Sequence, residues 1–98
     1  MIRGTTPTLE FKLPFSTDAI SVLSIAFAQD NAVVLEKAIN EVEMEADTVR
    51  VKLSQLDTLK FRHASVEIQM RCKTKDGNVL ASKIIKTSAE RILKDGEI

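Results

Sequence analysis

The sequence predicts an all-β protein: a seven-stranded antiparallel β-sandwich of immunoglobulin-like type, built as one domain from residues 1–98. Three observations lead there. Apolar and polar residues alternate with a period of two in run after run, which puts every second side chain on one face of a strand. Turn-forming residues separate these runs at close spacing, as in sandwiches and barrels. The gaps between runs are too short for the helical crossovers that parallel strands require.

Leu9, Phe11 and Leu13 alternate with Thr8, Glu10 and Lys12 and mark the first strand, which the Pro14-to-Asp18 stretch ends. A hairpin over Ile20 to Ala38 carries the apolar series Leu23, Ile25 and Phe27. A three-residue loop at Gln29-Asp30-Asn31, with Asn31 left-handed, sets Phe27 opposite Val33 and Ile25 opposite Leu35. The next hairpin, Glu41 to Leu53, turns at Ala46-Asp47 and pairs Met44 with Val49 and Val42 with Val51. That turn demands a positive φ at Ala46, where glycine would be easier.

Between Leu53 and Val66 the period changes. Ser54, with Asp57 three residues on, makes a weak capping box for a short helical turn, from which Leu56, Leu59 and Phe61 are expected to pack inward. The chain here crosses between sheets. The last hairpin, Ser65 to Thr87, has the plainest alternation: Val66, Ile68, Met70 and Cys72 against Glu67, Gln69, Arg71 and Lys73. A three-residue loop Lys75-Asp76-Gly77 sets Cys72 opposite Leu80 and Ile68 opposite Ile84. Ser88 to Ile98 either extends that strand or forms a helical turn, with Ile92 and Leu93 docking on a sheet edge. In immunoglobulin-like order the strands are B, C, C′, D, E, F and G, in sheets DEB and GFCC′, with the helical turn at the E–F crossover.

Composition narrows the function classes. Hydrophobic residues make up 44% and charged residues 29%, which separates the chain from disordered sequences. Fourteen basic residues balance fourteen acidic ones, so no net field draws it to nucleic acid or anionic lipid. The most apolar stretch, Ile20 to Ala28, is too short to span a bilayer. The first residues lack the apolar core and cleavage site of a signal peptide, so cytoplasmic synthesis is expected.

Chemistry has few residues to stand on. Cys72 is the sole cysteine and His63 the sole histidine, which excludes an internal disulfide and a cysteine zinc site within one chain. Glu41, Glu43, Glu45 and Asp47 read as a solvated strand face, since their loop lacks the length and glycine of a calcium motif. Gly4, Gly77 and Gly96 are too far apart for a phosphate loop. The expectation is a protein that is not an enzyme, with no cofactor and no metal.

Its surface is more informative. The outer face of sheet DEB carries Glu10, Lys12, Glu43, Glu45, Arg50 and Lys52, mixed charges suited to water. Sheet GFCC′ instead presents Val22, Ala26, Ala28, Val34, Ala38 and Ile85 beside Glu67, Gln69 and Arg71. Those six apolar residues are the candidate protein-interaction face, for another copy or another protein.

The opening Met1-Ile2-Arg3-Gly4-Thr5-Thr6-Pro7-Thr8, with Leu13-Pro14-Phe15, Ala28-Gln29-Asp30, Thr58-Leu59-Lys60-Phe61, Val66-Glu67-Ile68-Gln69 and Leu80-Ala81-Ser82, resembles a family of short proteins from phages and prophages of Gram-positive bacteria. The resemblance spans nearly the whole chain. It implies a place among virion structural genes, similar to the immunoglobulin-like modules of baseplate and capsid accessory proteins, and offers no catalytic residues to carry over. Its functional expectation is a structural accessory protein making protein–protein contacts in a virion or its assembly. A phage-encoded protein that binds a host factor, such as a defence inhibitor, is the alternative.

Overall fold

In the computed structural model, which describes residues 1–98 throughout, the alternating runs become two antiparallel sheets. One has the order β1-β5-β4, from β1 (Thr8–Lys12), β4 (Glu43–Glu45) and β5 (Thr48–Lys52). The other has the order β3-β2-β6-β7, from β2 (Ile20–Gln29), β3 (Ala32–Ala38), β6 (Ser65–Thr74) and β7 (Val79–Ala81), with β8 (Ile85–Ser88) also on β6. The only α-helix is the short α1 (Gln55–Leu59).

A single core lies between the sheets. Phe11, Val49, Val51 and Leu53 face it from one side, and Leu23, Ile25, Phe27, Val66, Ile68, Met70 and Cys72 from the other. Phe27 and Phe61 stack at a tilt with ring centroids 5.9 Å apart. Burying a side chain such as Phe27 contributes about 2–3 kcal/mol. The all-β sandwich is therefore present, with eight strands in place of seven because the expected last strand is broken in two.

The break has a local cause. β7 runs opposite β6 with Cys72 across from Leu80, as the Lys75-Asp76-Gly77 loop predicts, and Gly77 has φ 93°. At Ser82 the ladder is interrupted: its hydroxyl accepts the Met70 N–H at 3.0 Å, and its carbonyl accepts from the Gln69 amide. Beyond it β8 resumes one residue out of step, so Ile68 faces Ile85 and not Ile84. A one-residue slip exchanges the two faces of a strand.

A second irregularity changes the β2–β3 hairpin. Asp30 and Asn31 both have positive φ, 50° and 63°, the signature of a two-residue type I′ turn closed by Gln29 and Ala32. The expected three-residue loop is not formed, because Gln29 belongs to the strand. Its buried side-chain amide donates to the Arg62 carbonyl and accepts the Arg62 N–H, each at 2.9 Å. A bulge between Phe27 and Ala28 then sets Phe27 opposite Leu35 and Ile25 opposite Lys37, in place of the expected Val33 and Leu35. Val33 is left exposed.

The remaining expectations divide. Met44 pairs with Val49 across the Ala46-Asp47 turn, and Ala46 carries the positive φ of 53°. Val42 lies before β4 and packs on the core without pairing with Val51. The capping box forms: Ser54 Oγ accepts the Asp57 N–H, and Asp57 Oδ2 accepts the Ser54 N–H at 2.9 Å. Phe61 is buried, but Leu56 points outward and is 57% exposed, because Asp57 and Thr58 take the inward positions. The tail after Ser88 has no regular element beyond an isolated bridge of Glu90 with Ile2. Ala89 enters the core and Ile92 lies against Gly4, whereas Leu93 is 93% exposed and does not dock.

Candidate protein-contact surfaces

The outer face of the larger sheet gathers part of the predicted surface. Val22, Ser24, Ala26 and Ala28 follow one another outward along β2, and Ala38 of β3 lies opposite Ser24. Across β6 they meet Lys73, Arg71, Gln69 and Glu67 in turn. The face is thus a narrow apolar stripe between polar rows, and Ser24 Oγ donates to Glu36 on it at 2.8 Å. Two predicted members are elsewhere. Val34 sits at the hairpin bulge and packs against the core. Ile85 faces inward opposite Ile68, a consequence of the slip at Ser82.

The place where Ile85 lies was not foreseen. The sandwich is closed along its β3–β4 side, where the chain crosses between sheets and Ile39 and Val42 pack on the core. Its other long side, between β1 and the β7–β8 edge, is open. There a groove of about 490 Å³ runs along Phe11, Leu13 and Phe15 on one wall and Met70, Leu80 and Ile85 on the other. Leu80 is 43% and Ile85 48% exposed although both point to the interior side of their sheet. Large apolar side chains left wet at a sheet margin make this a candidate contact surface.

Both margins of this seam also carry unpaired backbone. Leu13 donates its N–H to Asp47 and Leu53 donates to Pro7, so the odd-numbered residues of β1 turn toward β5. Thr8, Glu10 and Lys12 therefore direct their N–H and C=O groups to the open side. On β7, Thr74 donates to Asn78 and Ser82 donates to Met70, which leaves Val79 and Ala81 facing outward. The far end of β8 is different, because Met1 to Arg3 pair with Ser88 and Glu90 there.

One charged cluster is partly buried. Lys37 Nζ lies 2.9 Å from Asp57 and 3.6 Å from Glu41, tying β3 to the start of α1. Burial disfavours the charge on Lys37, but the Asp57 hydrogen bond and the two carboxylates outweigh it and raise its pKa above 10.5. Burial likewise works against the Asp57 carboxylate, yet the Ser54 N–H and Lys37 hold its pKa below 3.8. Both shifts describe a stable ion pair. Each partner is committed to a neighbour, so neither is poised for acid–base work.

Other reactive side chains stand apart. Burial pushes the Cys72 thiol up, which makes it a poor nucleophile. His63 is exposed in the loop before β6. No three His, Cys, Asp or Glu side chains group at metal-ligating distance, and the acidic run splits into Glu41 on Lys37, Glu43 and Glu45 on β4, and Asp47 in the turn. No helix is long and apolar enough to cross a membrane.

No family model matches the chain, and no curated protein matches it. Among solved structures it is similar to the crystal structure of CopC from Methylosinus trichosporium OB3b, with a TM-score of 0.59 at 10% identity over 97% of this chain and 87% of that one. At that identity the likeness is one of fold, and it places this chain among two-sheet antiparallel β-sandwiches.

Proposed function

We propose that the chain is a non-enzymatic, immunoglobulin-like contact module serving as a structural accessory protein of a phage or prophage, in a virion or its assembly. The observation that carries this reading is the open seam: exposed apolar side chains flanked by two strand edges with unpaired backbone. Such a margin binds protein by adding a strand and covering the apolar wall beneath it. The strand order supports the immunoglobulin-like part, with β1, β5 and β4 in the places of B, E and D, and β3, β2, β6 and β7–β8 in those of C′, C, F and G. The resemblance of its motifs to phage and prophage proteins supplies the context.

Mass spectrometry of purified particles tests the proposal. A structural accessory protein is present in many copies per particle. Absence from particles, together with stoichiometric capture of one host protein, contradicts it and favours a host-directed factor.

A further inference from the structure

The free edge of β1 is complementary to itself. Thr8, Glu10 and Lys12 expose their backbone groups, so an antiparallel partner with the same sequence must bring these same residues opposite one another. A pairing centred on Glu10 sets two carboxylates face to face, and one centred on Lys12 sets two ammonium groups together and asks Pro14 for an N–H it lacks. The pairing centred on Phe11 avoids both like-charge contacts and moves Pro14 to the last rung, opposite Thr8. It places Glu10 of each copy opposite Lys12 of the other.

We propose that a second copy of this chain occupies the seam, joined edge to edge through β1 in a two-fold dimer centred on Phe11. The proposal rests on the reading of the chain as a contact module and names its partner. On the outer face it lengthens a charge row already present, Glu43–Arg50–Glu10, in which Arg50 Nε lies 3.3 Å from Glu10. Lys12 of the second copy adds the next opposite charge. On the inner face a two-fold axis perpendicular to the smaller sheet keeps both apolar walls on one side, so the two grooves face each other across the axis. Leu80 and Ile85 of both copies then leave water together, which an isologous interface requires.

Sedimentation or light scattering of the full chain, with folding checked by circular dichroism, tests this. The wild type is expected to be a dimer. Lys12→Glu and Glu10→Lys each set like charges opposite one another at both pairs and are expected to raise the dissociation constant about tenfold or more. Mixed in equal amounts, these two variants are complementary at both pairs and are expected to form a mixed dimer. Leu80→Lys, on the opposite margin of the seam, is expected to weaken the dimer without touching β1, and it carries the test with Lys12→Glu if Glu10→Lys loses its fold with its Arg50 contact. A monomeric wild type overturns the proposal and assigns Lys12 and Pro14 to protecting the edge. A dimer unchanged by Lys12→Glu and Leu80→Lys overturns it equally, as does failure of two folded charge variants to pair. A monomer found in many copies in particles leaves the contact reading standing while this inference falls.

Discussion

Ala46 and Asp57 show how much single positions contribute to this small sandwich. Ala46 has φ 53°, a left-handed conformation that a Cβ makes unfavourable. Ala46→Gly should therefore stabilise the protein by about 0.5–1 kcal/mol, read as a higher urea midpoint with an unchanged slope. Asp57 both caps α1 through Ser54 and neutralises Lys37. Asp57→Ala removes both partnerships and should cost about 2–3 kcal/mol by the same measurement. Its contribution depends on pH in a defined sense. The folded carboxyl titrates below 3.8, so its stabilisation is complete above that value and is lost as pH falls through the folded pKa. Lys37 is shifted the other way, so its share is complete below pH 10.5 and declines above it. The stability gap between wild type and Asp57→Asn should narrow below about pH 4.

At the scale of elements, Gln29 decides the geometry of the β2–β3 hairpin. Its amide stands in for a neighbouring strand, exchanging two hydrogen bonds with the backbone of Arg62. Gln29→Met keeps the volume but leaves those backbone groups unpaired, and should cost about 1–3 kcal/mol in denaturant unfolding. Here the limits of the sequence are physical. Alternation identified the strands because burial on one face imposes it, and Cys72 with Leu80 and Met44 with Val49 pair as register predicts. The bulges were not legible. Gln29 reads as a loop residue until Arg62 is beside it, and Ser82-Lys83-Ile84 reads as unbroken strand until Ser82 takes the place of a backbone carbonyl for Met70. Each irregularity then misplaced one predicted surface residue, Val34 at the first and Ile85 at the second, whereas Val22, Ala26, Ala28 and Ala38 do share the outer face. One signal was available: Ile84 and Ile85 are adjacent, and two large apolar neighbours cannot both face one core.

For the molecule as a whole, the seam unites what the sequence keeps apart. Residues 10–15 and 70–85 are distant along the chain, and only the stacking of a three-stranded sheet on a longer one brings them to a common margin. The same stacking leaves the charged outer face of the small sheet in water and the narrow apolar stripe of β2 hemmed by polar rows. The seam leaves Leu80 and Ile85 exposed beside two free strand edges, and contact with another protein should register there first. Amide hydrogen exchange, comparing the dilute chain with its assembled state, tests this most directly. The amides of Thr8, Glu10 and Lys12, which point away from β5, are predicted to become protected on assembly, while those of Leu9 and Phe11 are slow in both states. Unchanged exchange at Thr8, Glu10 and Lys12, with new protection confined to other parts of the molecule, would contradict the account.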